Sequence, residues 1–208
     1  MKTNSFDAAV DFSPEGREKR MDAVLCVRGE KMPASFHFYD PIPKDKLAPH
    51  FVRVHTHQTL SLGWKDDFEV LKPGKRRVLG KGHVLYPYPE KVTRTKVKKR
   101  IALLEALQGD KKSMLLTLAQ DKGIRGLGEK EIRAFSSSSW KSILQLTGEL
   151  EGEGQIRILS FDPLFLLSQD SFNFLCQEMA AFLARFHEKY PEQNGASQER
   201  IQRKFDLH

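Results

Sequence analysis

The residues with the most evident chemistry in this chain are cations. Between Lys72 and Arg100 stand Lys72, Lys75, Arg76, Arg77, Lys81, Lys91, Arg94, Lys96, Lys98, Lys99 and Arg100, with Glu90 the single acid. The segment therefore carries +10 in a chain whose net charge is +7, and everything else sums to −3. Positive charge concentrated in this way is the electrostatic footprint of a phosphate-bearing partner. Taken alone, such a run is more often a solvated linker. The side chains expected to meet phosphate are Arg76, Arg77, Lys91, Arg94, Lys96, Lys98, Lys99 and Arg100, with Lys141 further along the chain.

Other chemistry is sought and not found. A nucleotide-binding loop needs a glycine-rich turn ending in Lys-Ser/Thr after a strand, so that backbone amides cradle phosphates. No such stretch occurs, and Gly80-Lys81-Gly82 reads as a strand whose glycines permit a bulge or a barrel corner. His55-x-His57, with His50 nearby, has a metal-compatible spacing, but no cysteine or carboxylate completes a ligand set. These histidines are expected to face outward on a strand. His187 falls at a helix end, where a cation suits the dipole. The serines at 136–139 lack a nucleophile elbow and read as helix caps. Glu149, Glu151 and Glu153 form a charged helix end. No catalytic residue, metal ligand or cofactor site is assigned.

These cations must be positioned by elements of two kinds. Residues 1–19 are polar, with a turn at 13–16, and are expected to form a tail. From 20 to 90 the pattern is one of strands: 21–28 (MDAVLCVR), 34–39 (ASFHFY), 51–56 (FVRVHT), 67–71 (DFEVL) and 77–86 (RVLGKGHVLY). Prolines at 41 and 43 break the second of these. Alternation with turn chemistry and no helical period argues for a small antiparallel β-barrel. After a basic linker at 91–100 the period changes. Val97, Ile101, Leu104 and Leu107 recur at helical spacing, and Asp110 offers an N-cap for a second helix. A short helix with Ile132 and Phe135 inward follows, then one carrying Trp140, Ile143, Leu144 and Leu146, then a hairpin at 155–160 and 164–167. That order is a winged helix-turn-helix over 101–168, in which a short helix braces a second one able to lie in a groove. Residues 169–208 read as the opening of another winged helix: a long helix capped by Asp170, with Phe174, Leu175, Met179, Phe182, Leu183 and Phe186 as its apolar stripe. A short helix behind Ser197 ends the chain, and the last domain is expected to be incomplete.

Composition agrees with a soluble multidomain protein, β-barrel first and α/β winged helices after. Apolar residues make up 39% and charged residues 29% of the 208, and no apolar run approaches the roughly 18 residues of a membrane span. The start, MKTNSFDAAVDF, has no secretory h-region, and Cys26 and Cys176 each sit in an apolar segment, expected as small core residues. The expected location is the cytoplasm, with no membrane partner.

Several stretches carry a resemblance. LGKGHVLYPYP is similar to the glycine-rich strand and proline exit that close the third, EF-Tu-like barrel of the bacterial selenocysteine-specific elongation factor family. ALLEALQGD, GIRGLGEKEI and FLARFHEKYPEQNGASQERIQRKF resemble, in order, that family's first winged-region helix, its helix-turn-helix start and the opening of its next winged helix. The likeness covers roughly residues 20–208. One departure is Lys81, which stands where the family has the middle of three consecutive glycines. A second is that the GTPase domain and the final domain, which grips the mRNA hairpin, have no counterpart here.

The resemblance implies an RNA-binding, C-terminal portion of such a factor, contributing to selenocysteine incorporation. Its partners would be selenocysteine tRNA, the mRNA hairpin, the ribosome and a separate GTPase chain. With no GTP-binding motif in the sequence, it is expected not to be an enzyme itself. GTP is the parent family's cofactor, and none is implied for this chain. Two other readings stay open: a stand-alone winged-helix nucleic-acid-binding regulator, and a protein-docking spacer.

Overall fold

The computed structural model describes residues 2–12, 20–39, 49–74, 77–136 and 138–205. The turn expected at 13–16, the strand break at 40–43, and Lys75 and Arg76 lie outside the described residues. Two compact units emerge. One comprises residues 1–114 with 130–140, the other 115–129 with 141–208.

The first unit is built on a closed antiparallel barrel. Its strands are β1 (Thr3–Phe12), β2 (Arg20–Val27), β3 (Glu30–Phe38), β4 (His50–Leu60), β5 (Asp67–Leu71) and β6 (Val78–Tyr86), in the order β1-β4-β3-β2-β5-β6. Strands β2 to β6 fall where alternation predicts them. Strand β1 corrects the expectation of a polar tail. It pairs with both β4 and β6 and so removes the two edges that would otherwise stay open. The tail reading failed because Asp7 interrupts the apolar pattern SFDAAVDF, yet Asp7 is itself fully buried, as are Phe6, Ala8, Ala9 and Val10.

Inward-facing Phe6, Leu25, Phe36, Val52, Val54, Val70 and Val84 fill the barrel, and Phe6 meets Phe68 edge-to-face at 5.7 Å. The glycines of β6 have a specific cause. A Cβ on Gly80 would come within 2.6 Å of the Asp11 carbonyl oxygen, and one on Gly82 within 2.5 Å of that of Ala9. Close backbone approach by β1 excludes side chains there.

Helix α1 (Val97–Ala106) follows a single 3-10 turn, Arg94–Lys96, so the segment expected as a linker is already helical by residue 97. The orphan carbonyls after α1 are met by the loop before β5. Trp64 Nε1 donates to the Leu107 carbonyl at 2.9 Å, and Lys65 Nζ to that of Gly109 at 2.7 Å. The backbone N–H of Trp64 donates at 2.8 Å to the carbonyl of Phe135, the last residue of α3 (Glu129–Phe135). The Phe135 ring meets Tyr86 edge-on at 5.0 Å.

In between, α2 (Lys111–Lys122) starts as expected, with Asp110 Oδ1 accepting the Ser113 N–H at 2.7 Å. A two-residue strand that the sequence did not reveal, β7 (Leu127–Gly128), then joins β8 (Ile156–Phe161) and β9 (Leu164–Ser168) in the order β7-β9-β8. Between β7 and the hairpin come α3 and α4 (Trp140–Gly152), which is the winged-helix element order.

In the second unit, Leu127, Ile143, Leu150, Ile156, Leu164 and Leu166 are buried. Gly126, at φ +71°, lies directly under the Phe165 ring, which leaves no room for a Cβ. Two carboxylates hold the hairpin: Glu151 accepts the Ile158 N–H at 2.9 Å, and Glu129 that of Leu164 at 3.3 Å.

Helix α5 (Gln169–Lys189) is capped by Ser168, not Asp170. Ser168 has extended backbone, and its hydroxyl accepts the Ser171 N–H at 3.3 Å. Asp170 lies within the first turn, where its charge suits the dipole. At the far end, Phe182 meets Phe205 of α6 (Gln198–Phe205) at 6.0 Å, and Arg200 lies 5.0 Å over the Phe186 ring. Ser197 accepts the Arg200 N–H, as a cap should. Of the expected stripe on α5, only Phe186 is buried. Cys176, expected in a core, is exposed, and Cys26 is half-buried; both are free thiols.

Candidate nucleic-acid interface

Lys96, Lys98 and Lys99 stand exposed at the start of α1, with Lys91, also exposed, upstream of the 3-10 turn. Arg94 shares the 3-10 turn, and its side chain lies outside what is described. Local physics argues against this placement as a stabilising one. The N-terminus of a helix carries partial positive charge, so lysines there cost stability instead of adding to it. No acid stands in the first turn of α1, and Lys96 at the N-cap makes no side-chain capping bond. An anion brought to this end would relieve the repulsion.

Arg77 is exposed in the turn between β5 and β6, where its carbonyl accepts the Lys72 N–H at 2.9 Å. Lys81 forms an exposed pair with Glu69 at 3.3 Å. Lys141, in the other unit, is exposed in the first turn of α4. The polar face of α4 offers little for reading bases, since Gln145 Nε2 already donates to Glu149 at 3.0 Å.

Arg100 has a different situation. Its side chain is only 10% exposed and its partner Asp7 is 0% exposed. Arg100 Nε donates to Asp7 Oδ2 at 2.7 Å, and its Nη2 lies 2.6 Å from the same oxygen as an ion contact without a second hydrogen bond. Asp7 also receives Arg53 Nε on Oδ1 at 2.8 Å, Arg53 Nη2 on Oδ2 at 3.2 Å, and the Tyr39 hydroxyl on Oδ1 at 3.0 Å. The Arg100 guanidinium stacks on Tyr86 at 4.1 Å.

Burial, then the charge of Asp7, pushes the Tyr39 phenol above its ordinary value. Burial pulls Arg53 down, but its hydrogen bonds to Asp7 and the carboxylate charge override this and raise it. Asp7, Tyr39, Arg53 and Tyr86 were not legible as a group, because the contacts join residues 46 and 93 positions apart.

His55 and His57 are exposed on β4, as expected, and the His55 ring meets His37 edge-on at 5.2 Å. Burial holds both His37 and His55 below the ordinary imidazole value. Among the described residues no group of three His, Cys, Asp or Glu side chains could hold a metal ion.

No family model matches this chain. No curated protein matches it either. Among solved structures it is similar to the crystal structure of bacterial selenocysteine-specific elongation factor EF-Sec, at a TM-score of 0.64 and 16% identity, over 100% of this chain and 30% of that one. The chain has the fold of a part of EF-Sec. The order of barrel, α1, short helix, hairpin and long helix that the sequence motifs resemble is thus the order of the fold. The chain spans less than a third of the EF-Sec chain it matches. Among the described residues no helix is long and apolar enough to cross a membrane.

Proposed function

We propose that the chain is an RNA-contacting module of selenocysteine-specific translation elongation, working in the cytoplasm, where its partners would be selenocysteine tRNA, the mRNA hairpin and the ribosome. GTP hydrolysis belongs to a domain or chain other than these 208 residues. The single observation that carries the reading is the lysine cluster, Lys91, Lys96, Lys98 and Lys99, at a helix start with neither acid nor cap. Arg77 and Lys141 are further contacts, and Arg76 and Arg94 belong to the same basic run.

Purified chain titrated with selenocysteine tRNA and with an ordinary elongator tRNA across a salt series tests this directly. If about six cations meet phosphate, log affinity against log salt falls with a slope near −4 to −5. Selenocysteine tRNA should bind tighter than the elongator. A slope near zero, or no binding, removes the reading.

One observation favours a protein-docking role beside it. Phe161, at the hairpin tip, is 69% exposed, with Leu159 exposed on the same edge strand. A GTPase chain captured by the wild type and lost with Phe161→Ser would support that reading.

A further inference from the structure

Asp7 is a buried carboxylate facing two guanidinium groups, and one of them comes from the basic run itself. The start of α1 has limited local support, a 3-10 turn closed by the Lys96 N–H donating to the Thr93 carbonyl at 2.9 Å. It lacks a cap and an acid, and its lysines repel one another and the dipole. Its ties to the barrel include the Arg100–Asp7 pair and the stack of Arg100 on Tyr86. Removing one partner of such a buried pair is strongly destabilising, since the other is left uncompensated.

We infer that Asp7 and Arg100 are positioning residues. They latch the start of α1 to the barrel, so that Lys91, Lys96, Lys98 and Lys99 meet phosphate as a preordered strip, and Arg100 is itself no phosphate contact. The inference rests on the RNA-contact reading above. Preordering matters because a flexible polycation loses side-chain and backbone freedom on binding, whereas one on an already ordered backbone loses mainly side-chain freedom.

The sign of one substitution separates the latch from simple electrostatics. Asp7→Asn makes the chain one charge more positive and frees two guanidinium groups. Coulomb attraction alone then predicts tighter tRNA binding. The latch predicts weaker binding, by on the order of ten-fold, together with amide exchange on α1 (residues 101–106) accelerated by a similar factor. Arg100→Gln is the companion. With Arg100 as a latch, affinity falls while the salt slope keeps its wild-type value; with Arg100 as a contact, the slope shrinks by about 0.7 to 0.9.

Asp7→Asn binding selenocysteine tRNA as tightly as wild type, with α1 exchange unchanged, overturns the inference. So does the slope change in Arg100→Gln. Should Asp7→Asn fail to fold, Arg100→Gln supplies both readings. Should wild type bind no tRNA at any salt, the RNA reading falls, while exchange on α1 still decides whether Asp7 holds the helix.

Discussion

The barrel and the α5–α6 pair spend their apolar residues in opposite ways. In the barrel, alternation is converted largely into burial: Phe6, Leu25, Phe36, Val52 and Val70 are inaccessible, and the closing strand even buries a charge. In α5, a stripe of six apolar residues at helical spacing buries only Phe186, and Phe174 is 54% exposed. A period locates the apolar face of an element but not the surface that covers it. A closed barrel covers its own inner face. A helix depends on what is laid against it.

The largest loss on substitution is expected in the barrel. Phe6→Ala removes a fully buried ring and its edge-to-face contact with Phe68, and should cost about 3–5 kcal/mol of unfolding free energy. A urea midpoint within error of wild type would show that β1 is dispensable to closure. Next in size is Gly82→Ala. The added methyl would meet the Ala9 carbonyl at 2.5 Å and Phe68 and Val10 at under 3 Å, so β1 must shift. The expected loss is about 1–3 kcal/mol, in the range of overpacked cores. Gly148→Ala, where nothing lies within 4 Å, is the control and should be neutral or slightly stabilising.

How far the molecule was legible follows the same division. Strands β2 to β6, the Asp110 cap and the β8–β9 hairpin rest on local alternation and turn chemistry, which sequence displays directly. Strand β1 was missed because burying Asp7 defeats any reading that treats a carboxylate as a surface residue. Its partners arrive from β4, α1 and the end of β3. Strand β7 is two residues long, below the length at which alternation exists. Ser168 and Asp170 are both good caps by type, and only the extended backbone at Ser168 decides between them. For the candidate site, the lysines were visible as charge, whereas the commitment of Arg100 to Asp7 depends on tertiary contact alone.

A smaller effect tests the outer wall of the barrel. His37, His55 and His83 are each held below the ordinary imidazole value, first by burial. Arg20 and Arg53 add to this at His37, His37 and Arg53 at His55, and Lys65 at His83, against the opposing pull of Asp22, Asp7, Asp67 and Asp11. A lowered folded-state value means the unfolded chain binds more protons, so stability rises with pH through this window. The contribution is fully present above the unfolded value of about 6.5 and is lost as pH falls through the lower folded values. The urea midpoint should therefore drop between about pH 7.5 and pH 5, and the triple His→Gln variant should flatten that drop. An unchanged slope in the variant would assign the acid sensitivity to carboxylates instead.

The smallest effect expected is the sharpest test of the contrast itself. Phe174→Ser removes a large ring from α5, yet that ring is more than half in water, so the fold has little to lose. Surface changes of this kind stay within about 0.5 kcal/mol. Phe186→Ala, in the same helix but buried and touching Phe182 and Tyr190, is the internal control and should cost several-fold more. A loss above about 1 kcal/mol at Phe174, or a change of oligomeric state by light scattering, would mean that the α5 stripe is covered in solution. The two regions would then differ not in whether apolar surface is buried, but in whether the same chain supplies the cover.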